Sequence, residues 1–271
     1  ALANNTTASS NIAIGHQALT TNTQGAQNVA VGHQALEKNT TSYNNTAVGY
    51  LSLKEQTTGT ANTAVGAYSL DANTTGDNNT AIGTVALSAN TTGDGNTATG
   101  KDALAANTEG NNNTAIGLDA LTANTTAHVN TAVGYNSLKA NTTGSQNVAV
   151  GAYTMETQTT SWDCTGLGYQ ALQSNYGNDN TAVGKAALKG NLNGTSNTAV
   201  GKAALESNGS GSNNTAVGRN ALYSNTASNN TAVGKSVLHS NTSGATNTAV
   251  GDNSLYANTA GGSNTAVGYQ S

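Results

Sequence analysis

The stretches NTAVGYLSL (residues 45–53), NTAVGAYSL (62–70) and NTAIGTVAL (79–87) repeat nearly the same nine residues at intervals of 17. A glycine closes the NTAVG-like motif sixteen times, from Gly15 to Gly268, and is called the motif glycine below. Thirteen of the intervals between these glycines are 17 residues long and two are 16. Such a fixed short period is the signature of a repeat architecture built from one small unit.

The composition is unlike that of an ordinary globular domain. Charged residues make up 8% of the 271 residues, and the chain contains no Pro and no Phe, whereas globular chains contain about 25% charged residues. A composition poor in large apolar residues suggests disorder, but disorder does not require polar residues in strict register. The periodicity therefore outweighs the composition and indicates a folded array.

The motif itself reads as a short strand. The residue three before the motif glycine is Thr or a β-branched aliphatic, and the residue directly before it is usually Val or Ile, which favours a strand. The residue between them is Ala in every repeat except at Gly166. Because successive side chains of a strand point to opposite faces, we expect Thr46 and Val48 to point inward and Ala47 to face a close neighbour.

The second half of the repeat predicts a bend, a second buried segment and a turn. Glycine tolerates positive φ, so Gly49 is expected to make the bend, and Leu53, four residues later, to fill a second wall. The N-T-T-G segment has turn chemistry. Both 16-residue repeats lose their residue in this segment, as is typical of an outward loop.

Together the columns predict an all-β fold, a parallel β-solenoid (β-roll) of about 16 coils with a 17-residue repeat. A 17-residue helical repeat is too short, and Gly, Asn and Thr are poor helix formers. The whole chain, 1–271, is expected to be a single continuous array, with an irregular coil near 157–168. There the segment SWDCTGLG has Trp162 before the motif, and Cys164 replaces the motif Asn.

The core of such a coil is thin, and two devices could support it. Stacked Asn and Thr side chains can form hydrogen-bonded ladders from coil to coil. Alternatively, several chains can pack together, with the small Ala column at the contact. The structural ladder of one repeat is then Asn45, Thr46, Ala47, Val48, Gly49 and Leu53.

The motifs NIAIG at Asn11 and NVAVG at Asn28, with NTAVG elsewhere, resemble the S-V-A-I-G-type repeat of trimeric autotransporter adhesin heads. The longer pattern NTAVGYxALxxNTTG also resembles repeats of phage tail-fibre and related surface-fibre proteins. The resemblance covers essentially the whole chain and implies a left-handed β-roll in a homotrimer. The Thr at the first motif position and the 17-residue period depart from the adhesin pattern.

These features predict a structural protein that forms an extracellular fibre or filament shaft by stacking coils. Its partners are expected to be copies of itself, as a homotrimer, a head-to-tail polymer or both, at a cell surface, in an extracellular filament or in a virion fibre. One alternative is an adhesin or tail-fibre shaft that binds a receptor or cell-surface glycan. A lesser one is an ice-binding solenoid, based on paired columns such as Thr74–Thr75 and Thr91–Thr92. No membrane span and no nucleic-acid partner are expected.

We expect no enzyme activity, no cofactor and no metal site. No nucleophile elbow, P-loop or dinucleotide fingerprint occurs in the sequence. His16 and His33 share a column, which reads as exposed stacking more readily than as ligation. One charge pattern is a candidate anionic-ligand stripe, because four consecutive repeats place a cation directly after the motif glycine: Lys185, Lys202, Arg219 and Lys235.

Overall fold

A computed structural model describes residues 1–271 of the chain. It contains sixteen β-strands of three residues each and no helix. The chain divides into two compact units, Ala1–Val133 and Gly134–Ser271. The first unit contains β1 (Ile12–Ile14), β2 (Val29–Val31), β3 (Thr46–Val48), β4 (Thr63–Val65), β5 (Thr80–Ile82), β6 (Thr97–Thr99), β7 (Thr114–Ile116) and β8 (Thr131–Val133). The second contains β9 (Val148–Val150), β10 (Thr165–Leu167), β11 (Thr181–Val183), β12 (Thr198–Val200), β13 (Thr215–Val217), β14 (Thr231–Val233), β15 (Thr248–Val250) and β16 (Thr265–Val267).

Within each unit, every strand pairs in parallel with the equivalent strand of the next repeat. Ala47 is paired with Ala64, for example, and Ala182 with Ala199. Each repeat is therefore one coil of a parallel β-solenoid, as the sequence predicts. The shortened repeats keep this register, since Gly166 pairs with Ala182 across the first of them.

Left-handed backbone positions allow the chain to close a coil in so few residues. The motif glycines have φ between +124° and +143°, which confirms the predicted bend. A Cβ atom at Gly201 would lie 2.7 Å from the carbonyl carbon and oxygen of Gly218, so no side chain fits between neighbouring coils here. The motif position thus requires glycine for both its conformation and its size.

The interior of each unit is a column of Leu side chains facing a column of Ala methyl groups. Leu53, Leu70 and Leu87 are fully buried and have φ near +50°, a conformation that a Leu residue seldom adopts. Ala47 and Ala64 are also fully buried within the single chain. The column of second strand residues is therefore part of the core.

The predicted orientation of the motif is wrong. Thr46 and Val48 point outward and are only half-buried, whereas Ala47 points inward. The physical reason is the narrow interior, because the strand lies so close to the Leu wall that only a methyl group fits between them. The sequence correctly predicts that both faces of the strand are restricted in residue size, but the face inside the coil is that of Ala47 and not that of Thr46 and Val48.

Candidate functional site

A buried ladder of Asn side chains holds successive coils together, as the sequence predicts. Asn45 is fully buried, and its backbone N–H donates to the Oδ1 of Asn28 at 2.9 Å. Its own Oδ1 accepts from the N–H of Asn62 at 2.9 Å, and its Nδ2 donates to the carbonyl of Gly59 at 3.1 Å. Each motif Asn thus satisfies buried backbone groups that have no partner in the sheet.

A second Asn ladder was missed by the sequence reasoning, which assigned the N-T-T-G segment to an outward turn. The first residue of that segment is buried, as at Asn73, Asn90 and Asn107. Asn90 donates from its Nδ2 to the Oδ1 of Asn73 at 2.7 Å and to the carbonyl of Gly93 at 3.0 Å. The available signal was that this column holds only Asn or Gln, such as Gln56, since a solvent-facing turn would accept more residue types.

The Thr pairs considered for ice binding have divided roles. The hydroxyl of Thr74 donates to the carbonyl of Thr91 at 3.0 Å, and that of Thr91 to the carbonyl of Thr108 at 3.1 Å. Thr75 and Thr92 are exposed. Only the second Thr of each pair is therefore free to meet solvent, and the paired array does not form one flat hydroxyl surface.

The first and third residues of the strands point away from the core and form an outer surface in each unit, here called the sheet face. Thr, Val, Ile and Leu are the only residue types at these two positions of the sixteen strands. Val200, Val217 and Val233 are each 37% exposed. The sheet face is therefore an extended surface of β-branched side chains, with Leu167 as the exception, and it contains no charge.

Aromatic side chains stack along the outside of the coils. The rings of His16 and His33 lie 5.1 Å apart, and those of His33 and Tyr50 lie 5.2 Å apart, nearly parallel in both pairs. Both faces of the His33 ring are therefore covered by its neighbours. No group of three potential metal ligands occurs in the structure. The histidine column is a stack of side chains, in agreement with the sequence interpretation.

The four cations of the predicted stripe are exposed on consecutive coils of the second unit and are here called the cation row: Lys185, Lys202, Arg219 and Lys235. At one end, the Lys185 ammonium lies 5.6 Å from the centre of the Tyr169 ring. At the other end, the Lys235 ammonium lies 3.7 Å from a carboxylate oxygen of Asp252. The two central members, Lys202 and Arg219, form no ion pair.

Cys164 occupies the motif Asn position in the coil where the sequence departs most from the consensus. Its backbone N–H donates to the Oδ1 of Asn147 at 3.0 Å, as an Asn in this column would do. Its sulfur lies 3.4 Å from the carbonyl oxygen of Gly177. Burial raises the pKa of the Cys164 thiol to about 11, although hydrogen bonds from Asn180 and Asn175 oppose the shift. The thiol is therefore a structural group that stays protonated at neutral pH.

The surrounding backbone stays regular at this coil. Strand β10 has three residues and pairs in register with β11. Trp162, two residues before Cys164, is 47% exposed. The departure from the consensus between 157 and 168 is thus a change of side chains on an unchanged coil.

Neither a search of protein-family models nor a search of curated proteins returned a match to this chain. The structure contains no helix with the length and apolar character needed to cross a membrane. The solenoid and its exposed columns are thus the available basis for assigning a function.

Proposed function

We propose that the chain is a structural protein of an extracellular fibre, and that its copies associate sideways through the sheet face. The observation that supports this proposal is the composition of that face. Two outward positions in each of the sixteen strands hold no charged residue, although the chain has 22 Lys, Arg, Asp and Glu side chains (9 + 13). A face that excludes charge along its whole length is typical of a surface that becomes buried.

The exposure of the Val column supports the same proposal. Side chains such as Val200 and Val217 remain 37% exposed in the single chain, and burying apolar surface yields about 25 cal/mol per Å². The cost of the thin interior of each coil is then offset by a second apolar contact between chains. The sheet face takes over the contact role that we expected for the Ala column, whose methyl groups are already buried.

We propose a left-handed homotrimer as the form of this association. Three identical faces can close around one axis, and closed symmetry leaves no face unpaired. The number three and the handedness rest on the resemblance to trimeric adhesin heads. Head-to-tail stacking of the trimers into a longer filament is a further prediction, which electron microscopy of the purified chain would test.

Sedimentation velocity tests the sideways association. The wild-type chain, of 26.8 kDa, is expected to sediment as a trimer, and a variant with V200K and V217K as a monomer. The matched control carries Y176K and L192K, which replace two exposed apolar side chains outside the sheet face. A wild-type chain that stays monomeric at high concentration, or a control that dissociates equally, would overturn the proposal.

One observation favours ice binding as a second candidate. The outward Thr residues of the strands form a regular column beside the Val column, for example Thr198 and Thr215 beside Val200 and Val217. Parallel strands repeat such a pair about every 4.8 Å, which is a regular array of hydroxyl and methyl groups. Thermal hysteresis by a monomeric wild-type chain, abolished by V200K and V217K, would establish this function in place of trimer formation.

A further inference from the structure

The cation row is an exposed feature that a purely structural fibre does not require. Four of the nine Lys and Arg residues of the chain stand in this one row, directly after the strands β11, β12, β13 and β14. Like charges on adjacent coils repel each other, so the arrangement opposes folding unless something negative neutralises it. We propose that the cation row binds a linear anionic polysaccharide along the direction in which the coils stack.

The spacing of the cation row is fixed by the backbone. Strands β11 to β14 pair in parallel and in register, so consecutive cations start from backbones about 4.8 Å apart. Backbone hydrogen bonds join the adjacent coils directly beside the row, from the N–H of Gly201 to the carbonyl of Val183 and from the N–H of Gly218 to the carbonyl of Val200, both at 2.7 Å. The row therefore presents its charges at a regular repeat, which suits a polymer with a regular charge repeat.

The two central cations are the part of the row available to a ligand. Lys202 and Arg219 form no ion pair, whereas Lys185 lies against a Tyr ring and Lys235 beside Asp252. An arginine guanidinium can hold a carboxylate or sulfate through two parallel hydrogen bonds. The centre of the row thus combines unneutralised charge with a group suited to oxyanions.

In the single chain, the surroundings of the row leave it accessible. On one side stands the Val column of the sheet face, and on the other side stand short side chains: Ala186, Ala203, Asn220 and Ser236. None of these neighbours is a carboxylate. A ligand lying on the row therefore meets four cations with no competing negative charge beside the central pair.

The width and spacing of the row favour an anionic polysaccharide over nucleic acid. The row is one side chain wide, which fits a single extended chain better than the broad surface of a duplex. Duplex DNA carries a phosphate about every 3.4 Å along each strand, closer than the spacing of the row. A polymer with one carboxylate or sulfate per sugar offers single charges along a single chain, and this is the ligand class that we infer.

Binding of a fluorescently labelled polygalacturonate, measured by anisotropy at low salt, tests the inference. The quadruple variant K185Q, K202Q, R219Q and K235Q is expected to lose about tenfold or more in affinity, since each exposed ion pair contributes a fraction of a kcal/mol. The pair K202Q and R219Q is expected to account for most of this loss. Affinity of the wild type should fall as salt is added.

The matched control is K101Q, which removes an exposed cation from the same column in the first unit. Lys101 stands alone there, 3.3 Å from Asp102, so its removal should leave the affinity unchanged. Sedimentation velocity and the melting temperature of every variant separate a loss of binding from a loss of assembly or folding.

Three outcomes would overturn the inference. The first is that the wild type does not bind polygalacturonate, or binds neutral dextran as tightly. The second is that K101Q weakens binding as much as the central pair does. The third is that single-stranded DNA binds more tightly than polygalacturonate, which would assign the row to nucleic acid.

Discussion

Two turns of the second unit, residues 176–179 and 226–229, are one residue shorter than the others. The side chain that contacts the turn from the preceding coil differs between the two. Asn214 faces the second short turn, where its Nδ2 donates to the carbonyl of Ala227 and its Oδ1 accepts from the N–H of Asn230, both at 2.9 Å. Cys164 faces the first, where its sulfur meets the carbonyl of Gly177 at 3.4 Å. The Asn ladder therefore tolerates the shorter turn, and the turn does not require a cysteine.

Replacing each of these two residues by Ala should give the largest difference in stability between the two coils. N214A leaves the buried N–H of Asn230 without a partner and removes one of the two side-chain donors to the carbonyl of Ala227, while Asn225 remains as the other. We expect this to cost about 2–3 kcal/mol. C164A removes only weak sulfur contacts and should cost about 1 kcal/mol. Hydrogen exchange at the Asn230 and Asn180 amides, together with the melting temperature, measures the two effects locally, since long repeat arrays need not unfold in one step.

The exposed Asn193 provides the control for this experiment. Its side chain lies outside both ladders, so N193A should change neither the exchange rates nor the melting temperature. Equal losses for N214A and C164A would contradict the view that the Asn amide is the stronger connection between coils.

A second contrast between the two coils lies in the core. Gly166 replaces the usual Ala in the coil that contains Cys164, whereas Ala216 is retained in the other. A Cβ atom at Gly166 would lie 2.7 Å from Cγ2 of Thr154 and 3.1 Å from Cε of Met155. These two larger side chains thus fill the space that an Ala methyl occupies elsewhere, and the three substitutions compensate one another.

We expect G166A alone to destabilise the chain by about 1–3 kcal/mol through overpacking. Adding T154A and M155L restores the combination found in the other coils, in which a small residue and a Leu face the strand Ala. The triple variant should therefore recover most of the loss. The melting temperatures of the single, double and triple variants provide the coupling energy. Additive effects, with no recovery in the triple variant, would show that the three residues do not share one space.

The sequence predicts the repeat unit, the strand, the bend at the motif glycine and the parallel stacking, because these follow from period and residue type. It does not predict which face of the strand is inside. Thr46 and Val48 on one side and Ala47 on the other are both restricted in size, and restriction alone does not separate a core from a surface that excludes charge. That choice depends on the distance between the strand and the Leu53 wall, which only the three-dimensional coil determines.

The candidate surfaces were predictable to different degrees. The row from Lys185 to Lys235 is visible in the sequence, because a solenoid places equivalent positions of successive repeats side by side. The freedom of Lys202 and Arg219 from ion pairs was not visible, because it depends on how side chains of different columns approach each other. The second Asn ladder was overlooked for a related reason, since Asn73 has the composition of a turn residue and yet lies buried.

The stability of the coil that contains Cys164 should depend on pH, whereas that of the coil that contains Asn214 should not. Burial raises the pKa of Cys164 from 9.0 to about 11, so the folded chain holds this proton more tightly than the unfolded chain does. The protonated thiol therefore stabilises the folded chain fully below pH 9. This contribution to the free energy of unfolding is lost as the pH rises toward 11, by up to about 1.4 kcal/mol per pH unit. Asn214 does not titrate and makes no such contribution.

We therefore expect the melting temperature of the wild type to fall between pH 9 and 11 more steeply than that of C164S. Every other ionisable group is common to both proteins, so the difference between their curves isolates the thiol. Parallel curves for the two proteins would show that the thiol ionises as readily in the folded chain as in the unfolded one.

The smallest expected effect is that of C164N, which would make the two coils alike. The surroundings of the two positions already match, since Asn180 donates to the Oδ1 of Asn175 at 3.2 Å and Asn230 to the Oδ1 of Asn225 at 3.3 Å. An Asn at position 164 should therefore bond the Gly177 carbonyl as Asn214 bonds that of Ala227. We expect a gain of about 0.5–1.5 kcal/mol, seen as a higher melting temperature and slower exchange of the Asn180 amide. A lower melting temperature would mean that the first short turn has moved too close to the strand for an amide, and that the cysteine is retained because its side chain is smaller.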